Sequence, residues 1–169
     1  MPPIDTDNDQ TRLLKAIGLV AVLGAHVEDA AWTLWHSLAE DPTKPRKAWE
    51  KRVGASSVLE EARKLARKRL DAELAKRVTA WTRKASTQLR RRNDVIHSVW
   101  PYNQLDSVPF RLWTGSQPCN EASIKLLPVD IGDVQELARK LSEVANQGTQ
   151  LTWEVLEIYP DFLEGAPWR

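Results

Sequence analysis

The chain has 169 residues, eight Trp, a single Cys and a net charge of +1. That length suits one domain with a sizeable core, and the lone thiol, Cys119, excludes an internal disulfide and a Cys-based zinc cluster. The small total charge hides an uneven distribution: twelve Lys or Arg between Arg63 and Arg92 stand against Asp71 and Glu73, so the rest of the chain sums to −9.

Residues 1–8, with Pro2, Pro3 and several acids, read as a disordered lead-in. A first helix is expected from about Asp9 to Ala39, where Leu13, Ile17, Val20, Val27, Ala31, Leu34, Trp35 and Leu38 lay one apolar stripe. Gly24 takes the place between Val20 and Val27 and offers room for a neighbouring helix to approach closely. The apolar run Ala16 to Ala25 is too short to span a bilayer, and Asp5, Asp7 and Asp9 do not suit a signal-peptide start. A cytoplasmic protein with no membrane association is expected. Asp41-Pro42-Thr43-Lys44-Pro45 ends the helix, and a short turn around Trp49 is expected before Gly54.

Ser57-Val58-Leu59-Glu60 has the form of a capping box and predicts a second helix reaching about Leu70. Asp71 is expected to cap a third, from Ala72 to about Ser98, carrying Leu74, Val78, Trp81, Ala85, Leu89 and Ile96. Pro101 closes this region and pushes Trp100 out of helical geometry. An insertion over 101–129 follows. Within it Val108 to Trp113 and Ala122 to Leu127 alternate apolar with polar, and Gly115, Pro118 and Asn120 lie between them, which suggests a small hairpin. Asp130 then caps a fourth helix, Ile131 to Ile158, with Val134, Leu137, Leu141, Val144, Leu151, Val155 and Ile158 inward and Gly148 as a candidate interruption. Tyr159-Pro160 ends it, and residues 159–169 form a tail. The expected fold is all-α: a single domain, a four-helix bundle with a small β-hairpin or extended insertion before the last long helix.

The basic middle and acidic end leave two readings open. The two halves neutralise each other across the bundle or a dimer, or the basic face attracts a polyanion.

The stretch Arg90-Arg91-Arg92-Asn93-Asp94-Val95-Ile96-His97-Ser98-Val99-Trp100 carries the most chemistry. An Arg and a His sharing a cleft can bind a phosphodiester and move protons around it without a metal. An ordinary imidazole, with a pKa of about 6.5, serves as acid or base near neutrality. Arg92-Asn93-Asp94-Val95-Ile96-His97, followed by a small residue and a Trp, resembles the signature of the HEPN superfamily of small helical-bundle proteins, many of them RNA-cleaving toxins or defence nucleases. The resemblance covers residues 10–158 in architecture and about nine residues in motif.

This resemblance implies a metal-independent endoribonuclease, a toxin or phage-defence effector, that needs no cofactor. His97 would help deprotonate a ribose 2′-hydroxyl or protonate the leaving 5′-oxygen. Arg92 would hold the phosphate and stabilise its developing charge, and Asn93, one turn before His97, would orient the imidazole. Members commonly act as homodimers whose two motifs face one cleft. That arrangement matters because Arg92 and His97 lie about 140° apart on an ideal helix. Arg90 shares a face with His97, and Arg90 and Arg91 are the further candidates for binding RNA phosphate. Members paired with a nucleotidyltransferase antitoxin carry a Tyr two positions after the His. Here that position is Val99 and the nearest Tyr is Tyr102, so that partner and that mode of silencing are not assumed, while an antitoxin or regulatory protein of another kind stays a candidate partner.

Three other readings stand beside this one. His97 could simply end a helix, where carbonyl groups favour a cationic imidazole by about 0.3–1 kcal/mol, with the arginines solvated and Arg90 paired to Asp94. A non-catalytic module could bind RNA, nucleotide or a protein partner through the basic helix. An interaction protein could merely pair its basic and acidic faces. His26 and His36, near Glu28, Asp29 and Glu40, make no metal-binding pattern. Cys119 has no activating neighbour, and neither a Gly-x-Ser-x-Gly elbow nor a phosphate-cradling Gly-rich loop is present. Trp32 and Trp35 are expected in the core or at a dimer seam.

Overall fold

The computed structural model describes residues 9–98, 110–113, 125–128 and 130–159. Among these the chain forms five helices, α1 (Asp9–Leu38), α2 (Thr43–Glu50), α3 (Ala55–Arg69), α4 (Ala72–Ile96) and α5 (Ile131–Ile158). Two short strands, β1 (Phe110–Trp113) and β2 (Lys125–Pro128), pair antiparallel, with Phe110 opposite Pro128 and Trp113 opposite Lys125. The lead-in over 1–8, the segment 114–124 between the strands, Trp100, Pro101 and the tail beyond Tyr159 lie outside the described residues.

The expected four helices are therefore five. The turn around Trp49 is a helix, entered through a turn that Asp41 holds just ahead of the N-cap Pro42: the Asp41 Oδ1 accepts from the Thr43 backbone N–H at 2.9 Å and the Thr43 hydroxyl at 2.7 Å. Pro45 does not break this helix, since it sits in the first turn, where a backbone N–H has no intrahelical acceptor. The capping box at Ser57 is also corrected. α3 starts two residues earlier, behind an extended Gly54 whose carbonyl accepts from Ser57 and Val58, so Ser57 lies inside the helix. The caps at Asp71 and Asp130 do form: Asp71 accepts from Glu73 and Leu74, and Asp130 from Gly132.

α1 packs most extensively on α5, and α3 and α4 complete the bundle around a core whose fully buried members include Val20, Val27, Leu34, Leu38, Val58, Val78, Leu141 and Val155. Gly148 does not interrupt α5. It is the point where three helices meet, for a Cβ there would lie 2.5 Å from Trp81 Cζ2 and 2.9 Å from Ala30 Cβ. Trp81 gives up little for its burial, because its indole N–H donates to the Val144 carbonyl at 2.8 Å. Trp35 is buried; Trp32 stacks on it at 5.3 Å and meets Trp49 of α2 edge-on at 5.2 Å.

One end of the bundle is fastened by Arg69. Its guanidinium donates to the Leu38 carbonyl at 2.7 Å and lies 4.5 Å above the Tyr159 ring, while the Tyr159 hydroxyl donates to the Arg69 carbonyl at 2.9 Å. The last turns of α1, α3 and α5 thus converge where α4 begins. α4 then runs back along α1, and Arg92, near its far end, reaches Glu28 and Gly24.

Candidate functional site

The apolar face of α4 advances in steps of three and four through Leu74, Val78, Trp81, Ala85 and Leu89. Continuing that stripe lands on Arg92. An arginine in a core position needs both room and a counter-charge, and α1 supplies the two one turn apart. Gly24 supplies the room: a Cβ there would lie 2.5 Å from Arg92 Nε and 3.0 Å from its Cγ. The space read from the sequence as a helix-approach site is filled by this side chain. Glu28 supplies the charge, accepting from Arg92 Nη2 at 2.6 Å, and Asn93 Oδ1 accepts from Nη1 at 3.0 Å. The Arg92 side chain is only 14% exposed and that of Glu28 36%. Arg92 Nε is buried with no hydrogen-bond partner among the described residues.

His97 is placed differently. It is the residue on which α4 ends, with φ −91° and ψ 2°, and its backbone N–H donates to the Asn93 carbonyl at 2.9 Å. The Ser98 hydroxyl donates to the Asp94 carbonyl and sits buried behind it, while the His97 side chain is exposed. Arg92 and His97 therefore diverge within the protomer. The structure brings Arg92 together with Asn93 and Glu28, and the Asn93 side chain serves Arg92.

What shares a face with His97 is a line of cations. Lys76, Arg83, Arg90 and His97 follow at intervals of seven, all four exposed. Seven residues are nearly two full turns, so the line drifts by only about 20° per step and extends for about 31 Å. Lys84 and Arg91 are exposed beside it. None of Lys76, Arg83, Lys84, Arg90 or Arg91 forms an ion pair with a carboxylate of the described residues. The rest of the basic stretch is partly neutralised from other helices. Arg77 holds Glu154 of α5 through two hydrogen bonds of 2.6 and 2.7 Å, which keeps that carboxyl below the usual carboxylate range, and Lys68 meets Glu40 at 3.0 Å. The reading of internal neutralisation thus holds for the flanks of the basic stretch, whereas the outer face of α4 has no internal carboxylate partner among the described residues.

Sequence reasoning had reached Arg90, Arg91, Arg92, Asn93 and His97, and the room at Gly24, but missed the roles of Glu28, Lys76 and Arg83. The heptad spacing of Lys76 and Arg83 from His97 could have revealed those two. No local signal links Glu28 to a residue 64 positions away. Among the described residues, no three His, Cys, Asp or Glu gather as a metal site, and no helix is long and apolar enough to cross a membrane. His26 is exposed on α1; His36 is buried on it, and burial pushes its imidazole below the ordinary value. Cys119, Val99 and Tyr102 lie outside the described residues. Compared with protein-family models, curated proteins and solved structures, the chain matches none.

Proposed function

We propose that this protein binds RNA along the outer face of α4 and cleaves it at the His97 end, as a metal-independent endoribonuclease of HEPN type acting as a homodimer. The observation that carries the reading is the exposed, internally unpaired line of Lys76, Arg83 and Arg90 leading to an exposed His97. Such a line attracts a phosphate backbone whatever the base sequence. In the reaction a 2′-oxygen attacks the adjacent phosphorus, its proton passes to a base, and the 5′-oxygen leaves with a proton from an acid. The products are a 2′,3′-cyclic phosphate and a 5′-hydroxyl. His97 of one protomer serves as base or acid, and its counterpart in the partner serves the other role. Arg90, two turns before His97 on the same face, is the phosphate ligand best presented within the protomer. Arg92 reaches phosphate only by exchanging Glu28 for it; in its present place it fixes the end of α4 and the Asn93 side chain.

The test is incubation of the purified protein with single-stranded RNA in EDTA. Cleavage leaving cyclic phosphate ends is expected, with His97→Ala reducing it at least about a hundredfold, the scale of losing a general acid or base. Full activity in His97→Ala overturns the mechanism.

A second reading, RNA binding without cleavage, is favoured by the Arg92–Glu28 pair, which occupies the motif arginine within the protomer. It predicts retention of intact RNA with an affinity falling steeply in salt.

A further inference from the structure

Between residues 44 and 52 five cations, Lys44, Arg46, Lys47, Lys51 and Arg52, stand against Glu50 alone, and all six are exposed. Arg46 meets Glu50 at 3.4 Å on the surface, a pairing that water largely screens. Lys44, Lys47, Lys51 and Arg52 form no ion pair with a carboxylate of the described residues. The acids that lead into α2 are engaged, Glu40 with Lys68 at 3.0 Å and Asp41 with the backbone and hydroxyl of Thr43. Among these cations stands Trp49, 65% exposed and the only large apolar residue that α2 exposes. Trp32 meets its ring edge-on at 5.2 Å, so the indole is braced while most of its surface stays open.

The way α2 ends is a second, independent observation. Arg52 has a φ of 53°, in the left-handed region that glycine occupies at least cost after a helix. The Arg52 N–H donates to the Trp49 carbonyl at 2.9 Å and the Val53 N–H to the Ala48 carbonyl at 3.0 Å, which completes the turn. The chain thus sets an exposed guanidinium three residues after Trp49, where a glycine would end the helix with less strain. Arg46 stands three residues before Trp49 and shares its side of the helix. An indole flanked by cations suits a single-stranded nucleic acid, whose phosphates follow the charge and whose bases each offer a flat face for stacking. An acidic protein surface would call for a broader apolar patch than one side chain. A membrane surface would call for an apolar helix face, whereas Pro45 is buried and Ala48 half-buried. Asp29, exposed on α1 one turn before Trp32, is outnumbered by these cations.

We infer that α2 and the turn that ends it are a stacking site for single-stranded nucleic acid. One unpaired base lies on the Trp49 indole, the phosphates on either side of it lie against Arg46 and Arg52, and Lys44, Lys47 and Lys51 add to the attraction. The site is separate from the cations of α4, because α2 packs on α1, and it does not depend on cleavage at His97. It gives the molecule a preference that a line of cations alone lacks: unpaired bases over paired ones, since a base within a duplex has no free face.

Fluorescence-anisotropy titrations of the full chain test the site, with a labelled oligodeoxyadenylate and an abasic oligomer of the same length as probes. Both lack the 2′-hydroxyl, so the cleavage proposed above cannot consume them. Trp49→Ala is expected to weaken binding of the oligodeoxyadenylate about tenfold, the scale of losing one stacked base, and to leave the abasic oligomer unchanged. Trp49→Phe should recover most of the loss, and Trp153→Ala, which removes an exposed indole of α5, should change neither probe. Arg52→Gly is expected to weaken both probes several-fold and to lower the salt slope by about 0.7. Its melting temperature should hold or rise, because glycine suits the left-handed position, so a folding defect cannot account for the loss. Binding that is indifferent to Trp49→Ala, or that falls equally for both probes, overturns the inference. So does Trp49-dependent sedimentation with phosphatidylserine vesicles, which would make the indole a membrane contact. Binding that depends on Lys76 and Arg83 but not on Trp49 overturns this site and leaves the α4 reading standing. Trp49-dependent binding by a chain that leaves RNA intact overturns the nuclease reading alone.

Discussion

At Gly148 and at Gly24 the absence of a single carbon decides what can pack. At Gly148 the neighbours are a rigid indole and the Cβ of Ala30, neither of which can move aside locally. Gly148→Ala gains about 1 kcal/mol of helix propensity but overpacks the crossing by about 1–3 kcal/mol. A net loss of up to about 2 kcal/mol is expected, read as a lower urea midpoint with an unchanged slope. At Gly24 the neighbour is the stem of an arginine, so an added methyl displaces the guanidinium from Glu28. His36 gives a separate prediction at this scale. Burial lowers its imidazole below the ordinary value, so below about pH 6.5 the unfolded chain binds a proton that the folded chain resists. Stability is then complete above that pH and falls as pH drops through the window toward the lowered folded value. Melting temperatures at pH 7.5 and 5.5 should show the decline, and His36→Gln should flatten it.

α4 carries two faces with separate tasks, and its spacing shows which residue belongs to which. The inward face holds Val78, Ala85 and, at the same interval, Arg92. The outward face holds Lys76, Arg83, Arg90 and His97. If the outward face contacts RNA phosphate, each cation removed from it should lower the slope of log affinity against log salt by nearly one, about 0.7 for single strands. Lys76→Ala and Arg83→Ala should therefore each reduce the slope, with little change in melting temperature, in filter-binding titrations between 50 and 200 mM salt. A slope unmoved by either substitution would place the RNA elsewhere. Much of this element was legible in advance, because Asp71 is a strong cap and the apolar stripe is regular. α2 was not legible: two prolines bracket Thr43 and Lys44, and the Asp41 that holds the entry to the helix reads equally well as part of a plain turn. The two faces of Arg92 and His97 followed from helical geometry. The place of Arg92 on α1 did not, since nothing near it in sequence announces Glu28.

For the molecule as a whole, the all-helical architecture and the limits of its long helices could be read from periodicity and punctuation. Long-range pairings could not. Arg77 with Glu154, Lys68 with Glu40 and Arg92 with Glu28 join separate helices, so their existence depends on which helices become neighbours. Composition shows only that opposite charges are available to meet.

The Arg69 fastening has an electrical consequence. Because α1, α3 and α5 end together there, these three helices point the same way and α4 points against them. Three aligned peptide dipoles against one leave a net dipole along the bundle, each helix contributing about half an elementary charge at either end. At the fastened end their negative poles converge on the Arg69 guanidinium, which sits on one of the terminal carbonyls. At the opposite end α5 begins, with Asp130 capping its first turn, and α4 ends on the exposed His97. If RNA phosphate lies along the cations of α4, this dipole adds a pull that the backbone itself supplies, toward the end of the molecule where the imidazole is exposed.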